Sequence, residues 1–251
     1  MTPENPSPTI EWHPSPNHGE RRGGGAVELL VLHYTGMPDT DAALHRLCDP
    51  AAEVSAHYLV GMNGRIWQLV PEHRRAWHAG LAYWRGERDV NSRSIGIELA
   101  NPGHAWGYRP FPIEQMQSAL ALARGILARH GIPARNVVGH SDVASNRKED
   151  PGERFPWPAF AAAGVGLWPR PCETIPNPGL PKVQAALAAF GYALEPSGFH
   201  DLATRNAVLA FQRHFRPERL DGVFDGACAA RLADLLRQCG CERAALRLSR
   251  G

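Results

Sequence analysis

The sequence predicts an α/β protein: a central mixed β-sheet flanked by helices, plus a small C-terminal three-helix domain. Three observations carry that expectation. Short apolar runs at Ala26 to Leu32, Ser94 to Ala100 and Val137-Val138 have the composition of buried strands. A long stretch from Ile113 to His130 has helical spacing at Met116, Leu120, Ala123 and Leu127, giving a face to lay on a sheet. A proline-dense segment then separates these elements from three more helical stretches.

The length of 251 residues accommodates one large domain, or one medium and one small. The formal charge of +2 argues against a nucleic-acid binder, which carries a strongly basic patch. No apolar run approaches the roughly 20 residues of a membrane-spanning helix. The five cysteines, Cys48, Cys172, Cys228, Cys239 and Cys241, are odd in number and irregularly spaced, and read as reduced thiols without a special role. Nothing implies a protein partner.

In chain order, residues 1–25 carry Pro3, Pro6, Pro8, Pro14 and Pro16, then Arg21-Arg22 and Gly23-Gly24-Gly25, and read as a flexible tail. They lack the apolar stretch of about 7–15 residues that a secretory signal needs. The expected location is therefore the cytoplasm, or the periplasm if an export signal has been removed. Residues 26–163 form the first domain. Its Ala26 to Leu32 strand ends on His33-Tyr34-Thr35-Gly36, and a short helix follows over Asp39 to Cys48. His57 to Val60 and Ile66 to Val70, joined through Asn63-Gly64, have the pattern of a hairpin, because Asn-Gly tolerates positive φ. In Ser94 to Ala100, Ile95, Ile97 and Leu99 share one face, with Ser94, Gly96 and Glu98 on the other. Pro112 and Gly131 bound the long helix, and a short one around Trp157 to Ala163 closes the domain.

Residues 164–181 hold Pro169, Pro171, Pro176, Pro178 and Pro181 and read as a semi-rigid linker. Residues 182–240 then hold helices over Lys182 to Phe190, Leu202 to Phe215 and Ala227 to Gln238, enough for a module with its own core. Residues 241–251 read as a second tail.

The chemistry concentrates in Gly139 to Gly152. His140, Lys148 and Asp150 place an imidazole, an ammonium and a carboxylate on one loop after a strand. First-row metals take imidazole and carboxylate ligands, and a fixed cation suits a developing oxyanion. A catalytic zinc usually takes three protein ligands, so at least one more must come from elsewhere.

Six segments in order carry a family resemblance: Leu32-His33-Tyr34-Thr35, Ser55-Ala56-His57-Tyr58, Trp77-His78-Ala79-Gly80, Ser94-Ile95-Gly96-Ile97-Glu98, Gly139-His140-Ser141-Asp142 and Lys148-Glu149-Asp150-Pro151-Gly152. Across roughly residues 25 to 165 the chain resembles the zinc-dependent N-acetylmuramoyl-L-alanine amidases, the amidase-2 enzymes related to phage T7 lysozyme and the peptidoglycan recognition proteins. Residues such as Val183-Gln184, Phe190-Gly191-Tyr192, Phe211-Gln212 and Asp221-Gly222 are similar to a three-helix peptidoglycan-binding domain.

The resemblance implies one catalytic zinc ion on His33, His140 and Asp150, a donor set that leaves a fourth position for water. It implies Glu98 as general base and Lys148 as oxyanion stabiliser. Tyr58 matches a family tyrosine that can lie near the metal, core packing being the alternative. Trp77 and His78 are expected to line the groove, and Asn101 to contact substrate. The Tyr83-Trp84-Arg85 loop is expected to face substrate, Arg85 forking onto a stem-peptide carboxylate. The remaining histidines, His214 among them, read as structural or solvated.

The implied reaction is hydrolysis of the amide between the lactyl group of N-acetylmuramic acid and L-Ala of the stem peptide, on peptidoglycan fragments such as 1,6-anhydro-muropeptides. The alternatives are a non-catalytic recognition protein, which usually lacks a zinc ligand, and an endolysin acting on intact wall.

Overall fold

The structure, a computed structural model, describes residues 9–176 and 178–249. Six strands make one mixed sheet: β1 (Ile10–Trp12), β3 (Leu29–Tyr34), β4 (Tyr58–Val60), β5 (Ile66–Gln68), β7 (Ser94–Leu99) and β8 (Val137–Gly139). Their order is β1-β5-β4-β7-β3-β8, with β2 (His18–Glu20) and β6 (Arg74–Ala76) paired beside them. Only β4 and β5, the expected hairpin, run antiparallel within the large sheet. The helices of this half are α1 (Thr40–Cys48), α2 (Val90–Arg93), α3 (Ile113–His130), α4 (His140–Val143) and α5 (Trp157–Ala162).

Strand alternation divides the core. Leu30, Leu32, Ile95, Ile97 and Leu99 point to one face and pack with Ala119, Leu122, Ala123 and Ile126 of α3 and with Trp157 and Phe160 of α5. Each aliphatic side chain buried this way contributes roughly 1.5–3 kcal/mol. Leu29 and Val31 point to the opposite face, which a second set of helices covers: α6 (Leu180–Phe190), α7 (Leu202–Phe215), α8 (Gly226–Gln238) and α9 (Glu242–Ser249).

This second packing corrects the expected organisation. The helical module does not keep a core to itself, because Val183, Leu187, Phe190, Phe211 and Phe215 are continuous with Leu29, Val31, Trp84, Val138 and Val143 of the sheet half. Nor are residues 164–181 simply a semi-rigid linker between two bodies: Val165 is buried, Ile175 bonds to Gly226, and Arg170 pairs with Asp234. Proline removes backbone donors but leaves apolar side chains free to pack. The module has a fourth helix where a C-terminal tail was expected, and α9 buries Ala245 and Leu248.

The N-terminal tail is likewise corrected from residue 9 onward; residues 1–8, with Pro3, Pro6 and Pro8, lie outside the described residues. The proline-free pieces between the prolines pair as strands, β1 with β5 and β2 with β6. Arg21 anchors them through bonds of 2.8–3.3 Å to the carbonyls of Glu72, Asn91, Ser92 and Ser94.

Candidate metal centre

Parallel strands place their C-terminal ends on one edge, and open sheets build sites there. Register puts His33 of β3 opposite Glu98 of β7, and Leu32 opposite Gly139 of β8, so that His140 emerges beside them. Asp150 returns to the same edge, its carbonyl accepting from the Ser141 amide at 2.8 Å. His33, His140 and Asp150 are all buried, with one donor atom from each within 4.8 Å of the others.

The hydrogen bonds fix which atoms are free. The Ser94 hydroxyl donates to the Val90 carbonyl at 2.7 Å, so toward His78 its oxygen accepts, from Nε2–H at 3.1 Å. His78 Nδ1 is then bare and accepts from His33 Nε2–H at 3.0 Å. His33 therefore turns an unprotonated Nδ1 toward the site. His140 spends its Nε2–H on the Ala79 carbonyl at 3.1 Å, leaving its own Nδ1 bare. These two nitrogens stand 2.9 Å apart, each 3.0 Å from Asp150 Oδ2.

Two lone pairs and a carboxylate facing one another repel unless a cation lies among them. The donor set therefore fits a metal ion, with two imidazoles and one carboxylate as a catalytic zinc site requires. The titration tendencies agree. Burial, with His140 adding, pushes His33 down to about 4. Burial alone would raise Asp150, but the charges and hydrogen bonds of His140 and His33 hold it well below the usual carboxylate range. Both directions favour the proton-free donors that a metal needs.

Glu98 lies at the same edge and faces the cleft, its Oε2 buried and, among the described residues, without a hydrogen-bond partner. Burial pushes its carboxyl well above the usual range, Asp150 adding to the effect and Lys148 opposing it. Lys148 lines the cleft, which encloses about 380 Å³, together with Tyr34, Trp77, Arg46 and Arg147. Among the described residues the Lys148 ammonium makes no ion pair.

Of the expected site residues, the structure thus brings together His33, His140, Asp150, Glu98, Lys148, Trp77 and His78. Three expected contacts are corrected. Tyr58 turns to the far side, where its hydroxyl donates to Glu72 at 2.8 Å, and it packs in the core. Asn101 is buried and holds the backbone of Gly103 and Arg109. Arg85 bonds to Asn136 and its amide to Gly191 of the helical module, away from the cleft. Its neighbour Trp84 is fully buried against Phe190 and Tyr192, at ring distances of 6.0 and 5.5 Å. The aromatic loop is where the module docks, because its apolar area is large enough to be worth covering.

His78 reaches the groove, but its main contact is the one behind His33. Its ring lies on Gly96, where a Cβ would stand 2.6 Å from His78 Cγ, so only glycine admits it. Arg147, which had drawn no attention in the sequence, braces the site's rim through bonds to the carbonyls of Ala79 and Leu81.

A family described as N-acetylmuramoyl-L-alanine amidase matches residues 23–153, more than half of the chain and the segment that carries every residue of the centre. The chain belongs to this amidase family. A peptidoglycan binding domain family matches residues 176–232. The amidase is 39% identical over 238 residues to the N-acetylmuramoyl-L-alanine amidase AmiD of Escherichia coli, covering 85% of this chain and 84% of that protein. It is 35% identical over 166 residues to the 1,6-anhydro-N-acetylmuramyl-L-alanine amidase AmpD of Salmonella typhimurium, covering 59% of this chain and 87% of that one. Its fold superposes with TM-score 0.77 on AmiD from E. coli in complex with anhydro-N-acetylmuramic acid-L-Ala-D-gamma-Glu-L-Lys, at 37% identity over 89% of this chain and 98% of that one. The TM-score is 0.76 against AmpDh3 from Pseudomonas aeruginosa in complex with anhydromuramic pentapeptide, at 32% identity over 90% and 96% of the two chains. The matches to AmiD and AmpDh3 therefore take in both the catalytic half and the helical half, whereas the match to AmpD covers 59% of the chain.

Proposed function

We propose that the amidase uses zinc, held by His33, His140 and Asp150, to hydrolyse the bond between the lactyl carbonyl of an anhydro-N-acetylmuramic acid fragment and the L-Ala nitrogen of its stem peptide. The observation that carries the zinc reading is the pair of bare Nδ1 atoms 2.9 Å apart beside Asp150, with both Nε2–H groups already committed elsewhere. Bound zinc supplies a Lewis acid that lowers the pKa of water from 15.7 to about 7.

The chain's own residues do the rest. Glu98 Oε2, without a hydrogen-bond partner among the described residues, takes the proton from the attacking water and delivers it to the L-Ala nitrogen as the amide breaks. The Lys148 ammonium faces the cleft and offsets negative charge on the lactyl carbonyl oxygen. Arg46 and Arg147 on the same cleft match the carboxylates of a stem peptide, and Trp77 offers an aromatic face to the sugar. The anhydro form rests on the two relatives whose complexes contain it. A cytoplasmic location stays part of this proposal, and cell fractionation tests it.

The decisive assay incubates the full chain with an anhydromuramyl tripeptide and follows products by mass spectrometry. Free tripeptide with an L-Ala amino terminus should appear, disappear on chelation and return with added zinc. Cleavage that persists in the chelated, metal-free protein would refute the zinc reading, and cleavage at another bond would refute the substrate.

A further inference from the structure

Asp142 sits two residues after His140, on the single turn of α4, and the sequence gives it no evident task. In the structure it is 2% exposed and accepts three hydrogen bonds from three segments. The Gly139 amide donates to Oδ2 at 2.8 Å, inside the loop. The other two donors come from the helical module: Tyr192 Oη–H to Oδ1 at 2.8 Å and His214 Nδ1–H to Oδ2 at 2.7 Å. Both donor side chains are buried, at 1% and 2% exposure. The His214 ring is fixed in turn by stacking on Trp157, 3.6 Å between centroids. At the loop's other end Arg213 of α7 bonds to Glu149, next to Asp150, at 2.6 Å.

We infer that the helical module is a clamp on the metal loop: Tyr192 and His214, through Asp142, are positioning residues for His140 and Asp150. A buried carboxylate is held strongly only by donors that are themselves immobile. Here two of three are supplied by a segment whose family description concerns wall binding. The exposed Glu149 carboxylate makes the Arg213 pair the weaker of the two ties. Nothing in this role requires the module to touch substrate. It explains why the module shares a core with the sheet instead of hanging from a linker. The inference rests on the zinc reading for its effect on affinity, but not for its effect on the loop.

The test uses the full chain with two readouts: the zinc dissociation constant by chelator competition, and amide hydrogen exchange over residues 139–150 in the metal-free protein. The variants are Tyr192→Phe, His214→Leu and their combination. His214→Asn, whose amide can donate from nearly the same place, serves as the conservative rescue. Arg135→Ala, which breaks bonds to Phe190 and Cys239 across the same interface but not at Asp142, controls for general loosening. The combined variant should weaken zinc binding by roughly tenfold or more and speed exchange over 139–150. His214→Asn should recover most of both, and Arg135→Ala should lower the melting temperature while moving neither. Should the combined variant fail to fold, Tyr192→Phe alone, which removes one hydroxyl, is read by the same two measurements. If the Asp142-directed variants lose stability yet match Arg135→Ala in zinc affinity and loop exchange, the clamp is wrong. A parent chain that binds no zinc would count against the zinc reading, with loop exchange still deciding the clamp.

Discussion

The two sides of the metal centre are held in different ways. His33 lies within a central strand, and its support runs through His78 to Ser94 and Val90, all inside the sheet half. His140 and Asp150 lie on α4 and the loop after it, whose support crosses from Asp142 to Tyr192, just past α6, and to His214 in α7, 50 and 72 residues further along the chain. The strand side is rigid because β3 is paired on both edges, by β7 and β8. The loop side has no such ladder and depends on side-chain bonds.

Variants can break or sharpen that contrast. The largest effect is expected at Glu98, which stands opposite His33 on the strand side and faces the cleft. Glu98→Gln should lower muropeptide hydrolysis by about 10²–10⁴-fold while zinc binding is retained, measured by steady-state rates and metal content. The same variant carries a pH signature. Glu98 in the folded, metal-free chain titrates well above the ordinary 4.5, because burial opposes its charge and Asp150 adds to that opposition. Below about pH 3 the carboxyl is neutral in folded and unfolded chains alike and costs nothing. As pH rises, the unfolded chain ionises first, so folding loses stability until the folded carboxyl also ionises. Metal-free Glu98→Gln should therefore melt higher than the parent above about pH 5, with the gap closing toward about pH 3.

The strand side is probed by His78→Ala, which removes the acceptor that fixes the His33 tautomer. Zinc affinity should fall by about 10–100-fold, by chelator competition, with the loop amides at 139–150 exchanging as in the parent. A rise in loop exchange would show that the two sides are not independently supported. The smallest effect is expected at Tyr58→Phe. With its hydroxyl bonded to Glu72 on the far side, kcat should stay within about twofold of the parent and stability should fall by about 1 kcal/mol.

His140 and Asp150 were legible as candidate ligands from their residue types on one loop, whereas His33 and Glu98 were assigned through the family resemblance of the segments that carry them. Ser94, Gly96 and Glu98 were placed correctly on one face by alternation alone. What escaped depends on partners far away in the chain. Three residues at Ile10–Trp12 carry no sign that they will pair with Ile66–Gln68. Arg85 and Asn101 are polar residues near a site, and only the docked helices and the turn at Gly103 show that their side chains are used elsewhere. His78 was assigned to the groove by its type, but its role behind His33 requires the bare Gly96 beneath it. Asp142 has no evident task in the sequence because its partners, Tyr192 and His214, lie 50 and 72 residues further along the chain.

The central claim is that two bare imidazole nitrogens and one carboxylate hold a metal ion at the sheet edge. The direct measurement is the metal content of the full chain, purified without chelator and titrated with zinc, beside His33→Ala and Asp150→Asn. The account predicts one tightly bound zinc per parent chain and loss of that site in both variants, with the sheet still folded by circular dichroism. A parent that takes up no zinc, or variants that bind it as tightly as the parent, would contradict it.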